Sequence, residues 1–419
     1  MSFPHWGKTA YQRDNLATNL ADADAGATLK DKPPEPPPPA HIPAPEPLKA
    51  IYMTSWVSGT RDWRNELVRL IEETEINAVV IDIKDYTGHI SFAVSDPVLQ
   101  EIGAEEVRID DLREFLALLH EKQIYAIARI AVFQDPYFVA KRPDLAVKRA
   151  SDKSVVWKDR KGIPWIDPGS TEMWDYAVAL GKEAYAAGFD ELNYDYIRFP
   201  SDGDMSDIHY PFSDERVRND PDTGKARMLR DFFGYLYDHL KESGAALSVD
   251  LFGMTTTNSD DLGIGQMLEY ALPYFDYVAP MVYPSHYPNG FIGLASPAAH
   301  PYEVIKHSMD AAVARAQALN PAILYCKHKN GAWREVTIEN ATHCSDGSAP
   351  LRGASTTPMK LRPWLQDFDL GATYDAAMVR AQMKATYDAG LTSWMLWDPA
   401  NRYTRSALEP QVDAAPVQH

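Results

Sequence analysis

The chain has 419 residues, 45 % hydrophobic and 24 % charged, with 31 Pro, 23 Gly and 2 Cys, which suits one large barrel with extensions or two to three average domains and excludes a collagen-like or wholly disordered protein. Its formal net charge of −18, from 59 acidic against 41 basic residues with no local basic stripe, argues against nucleic acid or another polyanion and fits a neutral or cationic partner. No apolar run reaches the length of about 18 residues that a spanning helix needs, so no membrane span is expected.

The start, Met1-Ser-Phe-Pro-His-Trp6, has neither a basic flank nor an apolar h-region, and no signal peptide is legible there. Residues 1–30 show little periodicity. Lys30–Pro47 is so dense in proline that it favours polyproline II and reads as a semi-rigid spacer, the other reading being a ligand for a proline-binding module. A spacer at a domain edge holds the domain away from something, such as an anchor or a cell wall. From Lys49 onward short strands alternate with amphipathic helices. The expected strands are Ala50–Ser55, Ala78–Lys84, Tyr125–Val132, Leu192–Phe199, Ala246–Phe252, Tyr277–Tyr283, Leu361–Phe368 and Ser393–Asp398. Trp63, Leu67, Leu70 and Ile71, and then Leu112, Phe115, Leu116 and Leu119, fall at helical spacing between the early strands. Gly188 and Gly390 each stand between a helix and the next strand, where a left-handed cap is needed.

Eight strands alternating with helices predict an α/β protein of the (β/α)8 TIM-barrel type over residues 49–403, after a linker (1–48) and before a tail (404–419). An open doubly wound sheet is the rival, but Gly263-Ile-Gly265-Gln lacks the third glycine of a phosphate-binding turn. Residues 322–357 are expected as an insertion before the seventh strand. They carry the only two cysteines, Cys326 and Cys344. These are either free thiols or a disulfide worth roughly 3 kcal/mol by loop closure, which would imply an oxidising compartment.

Alternation along each strand separates barrel-facing from helix-facing side chains. The apolar parity Leu192, Tyr194 and Tyr196 leaves Asn193 and Asp195 inward; Leu247, Val249 and Leu251 leave Ser248 and Asp250; Val79, Ile81 and Ile83 leave Asp82 and Lys84. Three strands thus aim carboxylates at one axis near their C-terminal ends, where barrel active sites sit. Carboxylates inside a packed barrel must be paired or wet. Asp82–Lys84 and Asp195–Arg198 ion pairs that merely close the barrel are the structural alternative. Trp56, Tyr283, Trp364, Trp394 and Trp397 follow the acids at strand ends, and flat aromatic faces there suit the apolar faces of sugar rings. No H-E-x-x-H, paired C-x-x-C, Walker loop or G-x-S-x-G elbow is present. No spacing of the twelve His argues for a metal site, so neither metal nor cofactor is expected.

Asp190-Glu-Leu-Asn-Tyr-Asp-Tyr-Ile-Arg-Phe-Pro200, Ala78-Val-Val-Ile-Asp-Ile-Lys-Asp85, Pro280-Met-Val-Tyr-Pro284, Arg362-Pro-Trp-Leu-Gln-Asp-Phe368 and Trp394-Met-Leu-Trp-Asp-Pro399 resemble a bacterial family of glycoside hydrolase-like barrels, long catalogued as a domain of unknown function, over about residues 49–403. The resemblance implies a TIM-barrel hydrolase acting on polysaccharide, outside the cytoplasm or at the cell surface. It carries catalytic acids onto Asp195 and Asp250, with Lys84, Arg198, Tyr283 and Gln366 lining the site. The 322–357 insertion departs from the family pattern.

A two-carboxylate glycosidase needs a proton donor and a nucleophile or base. Asp195, held ionised if Arg198 curls back to it, is the expected nucleophile or base. Asp250 is the expected donor, its pKa raised by the neighbouring charge. Asp82 is the reserve carboxylate and Asp398 a weaker one. Adjacent strands lie about 4.8 Å apart, so a level pair would approach the roughly 5–5.5 Å separation of retaining enzymes. The competing expectations are a non-catalytic polysaccharide-binding barrel and a metal-dependent hydrolase. A monomer is expected.

Overall fold

The structure, a computed structural model, describes residues 39–319, 324–327, 333–336, 344, 351–352 and 358–411. The linker through residue 38, parts of the insertion and the tail beyond 411 lie outside the described residues. Eight parallel strands close a barrel in chain order: β1 (Lys49–Met53), β2 (Ala78–Lys84), β3 (Tyr125–Ala131), β4 (Glu191–Asp195), β5 (Ala246–Phe252), β6 (Tyr277–Met281), β7 (Trp364–Gln366) and β8 (Trp394–Trp397), with β8 pairing back onto β1. This is the (β/α)8 TIM barrel expected from the alternation.

β4 and β7 are the strands that fall furthest short of expectation. β4 stops at Asp195 because Tyr196 takes a left-handed φ of 51°, which turns the chain out of the ladder. β7 is continuous only over Trp364–Gln366; Leu361 bridges Val278 separately, and Pro363 between them has no N–H to donate.

Besides short loop helices such as Ser55–Gly59, the helices between strands are α1 (Arg61–Glu72), α2 (Leu112–Glu121), α3 (Thr171–Ala187), α4 (Gly224–Leu240), the single turn α5 (Leu268–Ala271), α6 (Pro301–Gln317) and α7 (Ala376–Asp388). They bury the predicted apolar stripes, Leu67, Leu70 and Ile71 on α1 and Leu112, Phe115, Leu116 and Leu119 on α2. Trp63 is the exception. It lies on the outer face, 40 % exposed, and Arg64 takes the inward position, its guanidinium paired two-pronged with Asp111 at 2.6 Å per bond. Gly188 and Gly390 have φ values of 122° and 84°, as the helix-to-strand joints require.

The chain also packs against the barrel before β1 and after β8. Residues 39–48 pack beneath the barrel: the Ile42 amide donates to Asp190 at 2.9 Å, and Leu48 is fully buried. Leu48 shares an apolar cluster with Ala50 and Ala78, and Ile42 and Ala44 pack against it. Among the described residues after β8 there is no α-helix. Residues 404–411 instead run to the underside, burying Ala407 and Leu408, and the Glu75 amide donates to the Glu409 carbonyl at 2.8 Å. The insertion forms a separate antiparallel sheet, Leu324–Lys327 between Trp333–Val336 and Leu351–Arg352. Cys326 on its central strand is disulfide-bonded to Cys344, with the Cα atoms 5.6 Å apart.

The barrel floor carries one matched ion pair. Arg362 donates to Glu191 at 2.8 Å, the Tyr125 hydroxyl adds a bond to the same carboxylate at 3.2 Å, and both charged side chains are buried. Truncating one partner of such a pair strands the other charge. Arg362→Met is therefore expected to lower the unfolding free energy by about 3–5 kcal/mol, and adding Glu191→Gln to recover much of it. Urea denaturation of the two variants measures both, and a loss below about 1 kcal/mol in the single variant would show that the floor does not depend on the pair.

Candidate active site

The C-terminal mouth is organised around a residue whose role was not anticipated. Arg129 stands in the middle of β3, at the same inward parity as Tyr125 and Ile127, and is buried. One nitrogen donates to Asp82 on β2 at 2.5 Å, another makes a short bond to Asp195 on β4, and its Nε lies 3.6 Å from Asp250 on β5. The register explains the convergence: Asp82 pairs with Arg129, while Asp195 pairs with Ala131, the next inward position above it. The aromatic rings of Trp397 and Tyr52 cover the guanidinium at 4.9 and 5.7 Å, and they stack on each other at 3.8 Å. An arginine inside an otherwise apolar strand, Tyr-Ala-Ile-Ala-Arg-Ile-Ala, was the signal that could have found it.

The carboxylates differ in their surroundings. Asp195 accepts from Arg129 and from the Tyr196 amide at 2.6 Å, a bond that the left-handed turn at Tyr196 makes possible. Asp250, 1 % exposed, uses one oxygen to accept from the Trp364 indole at 2.8 Å and the Asn193 amide at 3.1 Å. Burial, followed by the charge of Asp195, pushes its pKa up to about 8, against the opposing pull of Arg129 and the two hydrogen bonds. Burial also raises Asp82, opposed by Arg129 and by the Tyr52 hydroxyl that donates to it. For Arg129, burial opposes the charge, but Asp82 and Asp195 outweigh it and hold the guanidinium protonated. The pairs Asn193–Ser248 and Tyr194–Val249 run in register, so the next step along both strands sets Asp195 level with Asp250.

A cleft of two connected lobes opens above this cluster. The smaller, about 250 Å³, is walled by Asp195, Arg198, Met281, Tyr283 and His286 among others; the larger, about 710 Å³, by Tyr52, Trp56, Asp82, Asp85 and Tyr86 among others. Arg129, Tyr196 and Trp397 belong to both. Tyr196, expected to face the helices, reaches the mouth because the strand has already ended beneath it. The Tyr283 hydroxyl is buried with no hydrogen-bond partner among the described residues.

Several expected site residues stand elsewhere. Lys84 is buried against Asp135 at 2.8 Å and the Ala131 carbonyl at 2.6 Å, so neither lobe includes it and it does not pair with Asp82. Arg198 lines the smaller lobe but lies over the Trp165 ring at 4.6 Å, bonding the Phe199 carbonyl and Ser201; the ion pair to Asp195 comes from Arg129 instead. Gln366 is wholly buried and ties loops together, accepting from the Ser285 amide at 3.2 Å and donating to the Phe368 carbonyl at 2.9 Å. Trp364 lies under the cleft as the donor to Asp250 rather than in its wall. Asp398 is turned into its own loop, accepting from the Ala400 and Arg402 amides at 2.8 and 3.0 Å. Trp394 faces the helices, its indole bonded to the Tyr387 hydroxyl. Asp250 itself lines neither lobe and lies just beneath them. Among the described residues no three His, Cys, Asp or Glu side chains are grouped as metal ligands, and no helix is long and apolar enough to cross a membrane.

A TIM barrel with acids and aromatics at its C-terminal mouth is an architecture shared by many glycoside hydrolases. A family model described as "putative glycosyl hydrolase domain" matches residues 50–326 and 341–403, the break falling within the insertion. The chain belongs to that family. A hypothetical protein from Ruminiclostridium thermocellum is 32 % identical over 48 % of this chain and 96 % of its own, with a TM-score of 0.42. The glycoside hydrolase domain of PgaB (BpsB) from Bordetella bronchiseptica is 15 % identical over 84 % of this chain and 94 % of its own, with a TM-score of 0.56, a likeness of fold. No curated protein matches the sequence.

The raised pKa has a stability consequence with a definite sign. With a folded value of about 8 and an unfolded value of about 3.9, native Asp250 keeps a proton that the unfolded chain has lost. Its contribution to stability therefore falls as pH rises from about 4 to about 8 and then levels off. Asp250→Asn, which cannot ionise, is expected to gain on the wild type across that window. Thermal midpoints of the two proteins at pH 5, 6.5 and 8 measure the gap, and a gap that does not widen would place Asp250 in the ordinary carboxylate range.

Proposed function

We propose that this protein is a glycosidase that cleaves a polysaccharide at the barrel mouth, with Asp195 as nucleophile or base and Asp250 as proton donor. One observation carries the reading: two carboxylates stand on adjacent strands, and burial beside the charge of Asp195 holds a proton on Asp250, as a general acid requires. Asp195 opens into the cleft and is paired with Arg129. Asp250 is protonated at neutral pH, and the proton belongs on the oxygen that Trp364 and Asn193 leave unused. In the reaction Asp250 gives its proton to the glycosidic oxygen as the bond to the anomeric carbon breaks. Asp195 either attacks that carbon or takes a proton from the attacking water. One water is consumed, and the acid is restored when Asp250 regains a proton. The level placement favours the retaining form, in which Asp195 forms a glycosyl ester that water then hydrolyses. Arg129 is the positioning residue that orients both acids.

No step of this scheme calls for a metal ion. The disulfide favours an extracellular or cell-surface location, and the protein is proposed to act as a monomer. One observation favours a second reading, a barrel that binds glycan without cleaving it: Asp250 lies beneath the cleft rather than in its wall.

The test is reducing-end release from soluble peptidoglycan, glycol chitin, chitosan, xylan, galactan and β-1,3-glucan. The wild type is expected to release reducing ends from at least one polymer with EDTA present. Asp195→Asn should fall to background, and Asp250→Asn should lose about 10²–10⁴-fold. Because the donor must be protonated, kcat/KM should decline as pH rises through about 8. Silence on all six polymers, with wild type and Asp195→Asn binding one of them equally, would favour the binding barrel; loss with chelator would favour a metal-dependent hydrolase.

A further inference from the structure

We propose that the larger lobe is a second sugar-binding region, with Trp56 and Tyr86 as a stacking platform, so that the cleft holds glycan on both sides of the carboxylates and cuts within the chain. The inference rests on the glycosidase reading and adds to it where the polymer lies and which sugars fit.

Trp56 is 61 % exposed and Tyr86 53 % exposed. Large aromatics left in water forgo substantial burial energy, and an exposed pair beside a cleft marks a recognition surface more often than chance placement. These two are also held in place. Trp56 sits on the short helix Ser55–Gly59 after β1, and Tyr86 on the turn after β2. One side chain ties the two segments together. Arg108 donates to the Ser55 hydroxyl at 2.9 Å and to Asp85 at 2.8 Å, the residues next to each aromatic, and its guanidinium lies over the Trp56 ring at 4.4 Å. The turn is further fixed at Gly88, whose φ is 89° and where an added Cβ would lie 2.0 Å from an Asp135 oxygen. Arg108 covers one face of the indole and leaves the other for a ligand. A pre-set aromatic loses little entropy on binding, which is what a sugar platform requires.

The platform belongs to the same cleft as the acids, because the lobes share Arg129, Tyr196 and Trp397. Asp195 faces the smaller lobe and Asp82 the larger, so the reacting centre lies between two sugar-sized spaces rather than at a dead end. A flat aromatic platform selects pyranoses that present a face of C–H groups, as β-linked sugars with equatorial substituents do. The ligand class is therefore a pyranose polysaccharide, bound along its length, with β-linked polymers as the probes.

Two measurements on the full chain test this, using the six polymers named above. On a polymer that is cleaved, viscosity should fall well before reducing ends accumulate, and the first products should be mixed oligosaccharides. Mono- or disaccharide products from the outset would overturn the inference while leaving the glycosidase reading intact. Combined Trp56→Ala and Tyr86→Ala should raise KM for the polymer about tenfold more than KM for a short aryl β-glycoside. Trp63→Ala, on the outer face of α1, should change neither. An equal effect on both substrates would overturn the platform. If no polymer is cleaved, the glycosidase reading fails, and tryptophan fluorescence during titration with each polymer still decides the platform: quenching that Trp56→Ala removes supports it, whereas no quenching, or quenching unchanged in that variant, overturns it.

Discussion

A single guanidinium shared among three carboxylates sets the character of this barrel. Arg129 pairs with Asp82 and Asp195 and stands near Asp250, so one positive charge serves three acids in a buried site. Full ionisation of all three would leave two negative charges uncompensated, and the protein avoids this by holding a proton on Asp250. The protonation asymmetry is thus a consequence of charge counting in a dry space. A second cation facing the cluster would weaken it, because Arg129 already pulls against the proton on Asp250.

Two other buried pairs differ from this cluster. Glu191 with Arg362 on the floor and Lys84 with Asp135 behind β2 are buried and matched one to one. Matched pairs hold strands and loops in register without leaving a proton to exchange. The acids that share Arg129 stand at the end where strand termini meet a cleft, the end at which barrel folds place their chemistry. Trp364 and Asn193 connect the two regimes: both are buried parts of the core, and both donate to the acid that carries the proton.

Strand endings decide what the cleft exposes. The left-handed turn at Tyr196 ends β4 at Asp195, offers the Tyr196 amide to that carboxylate and brings the Tyr196 ring over the mouth. The pinned turn after β2 and the short helix after β1 carry Tyr86 and Trp56 beyond the barrel rim. Much of the cleft wall is therefore built by where strands stop, while the acids are placed by where strands pair.

Much of this was written locally in the chain. Alternation of apolar and polar residues, with helical spacing between, determined the eight strands, the barrel class and the inward parity of Asp82, Asp195 and Asp250, because parity and period are properties of neighbouring residues. The packing before β1 and after β8 was not legible, since Leu48, Ala407 and Leu408 are buried by parts of the barrel distant in the chain. Nor were the partners: Lys84 and Arg198 lie close in sequence to Asp82 and Asp195, yet space gives both acids to Arg129 from β3. Gln366 and Asp398 carry polar groups that look poised for a ligand until loop backbone, invisible in the sequence, takes up their hydrogen bonds. The sequence by itself determined which residues point to the axis. Which of them share a charge, hold a proton or meet the cleft was decided by tertiary structure alone, because those properties depend on distances and burial among strands far apart in the chain.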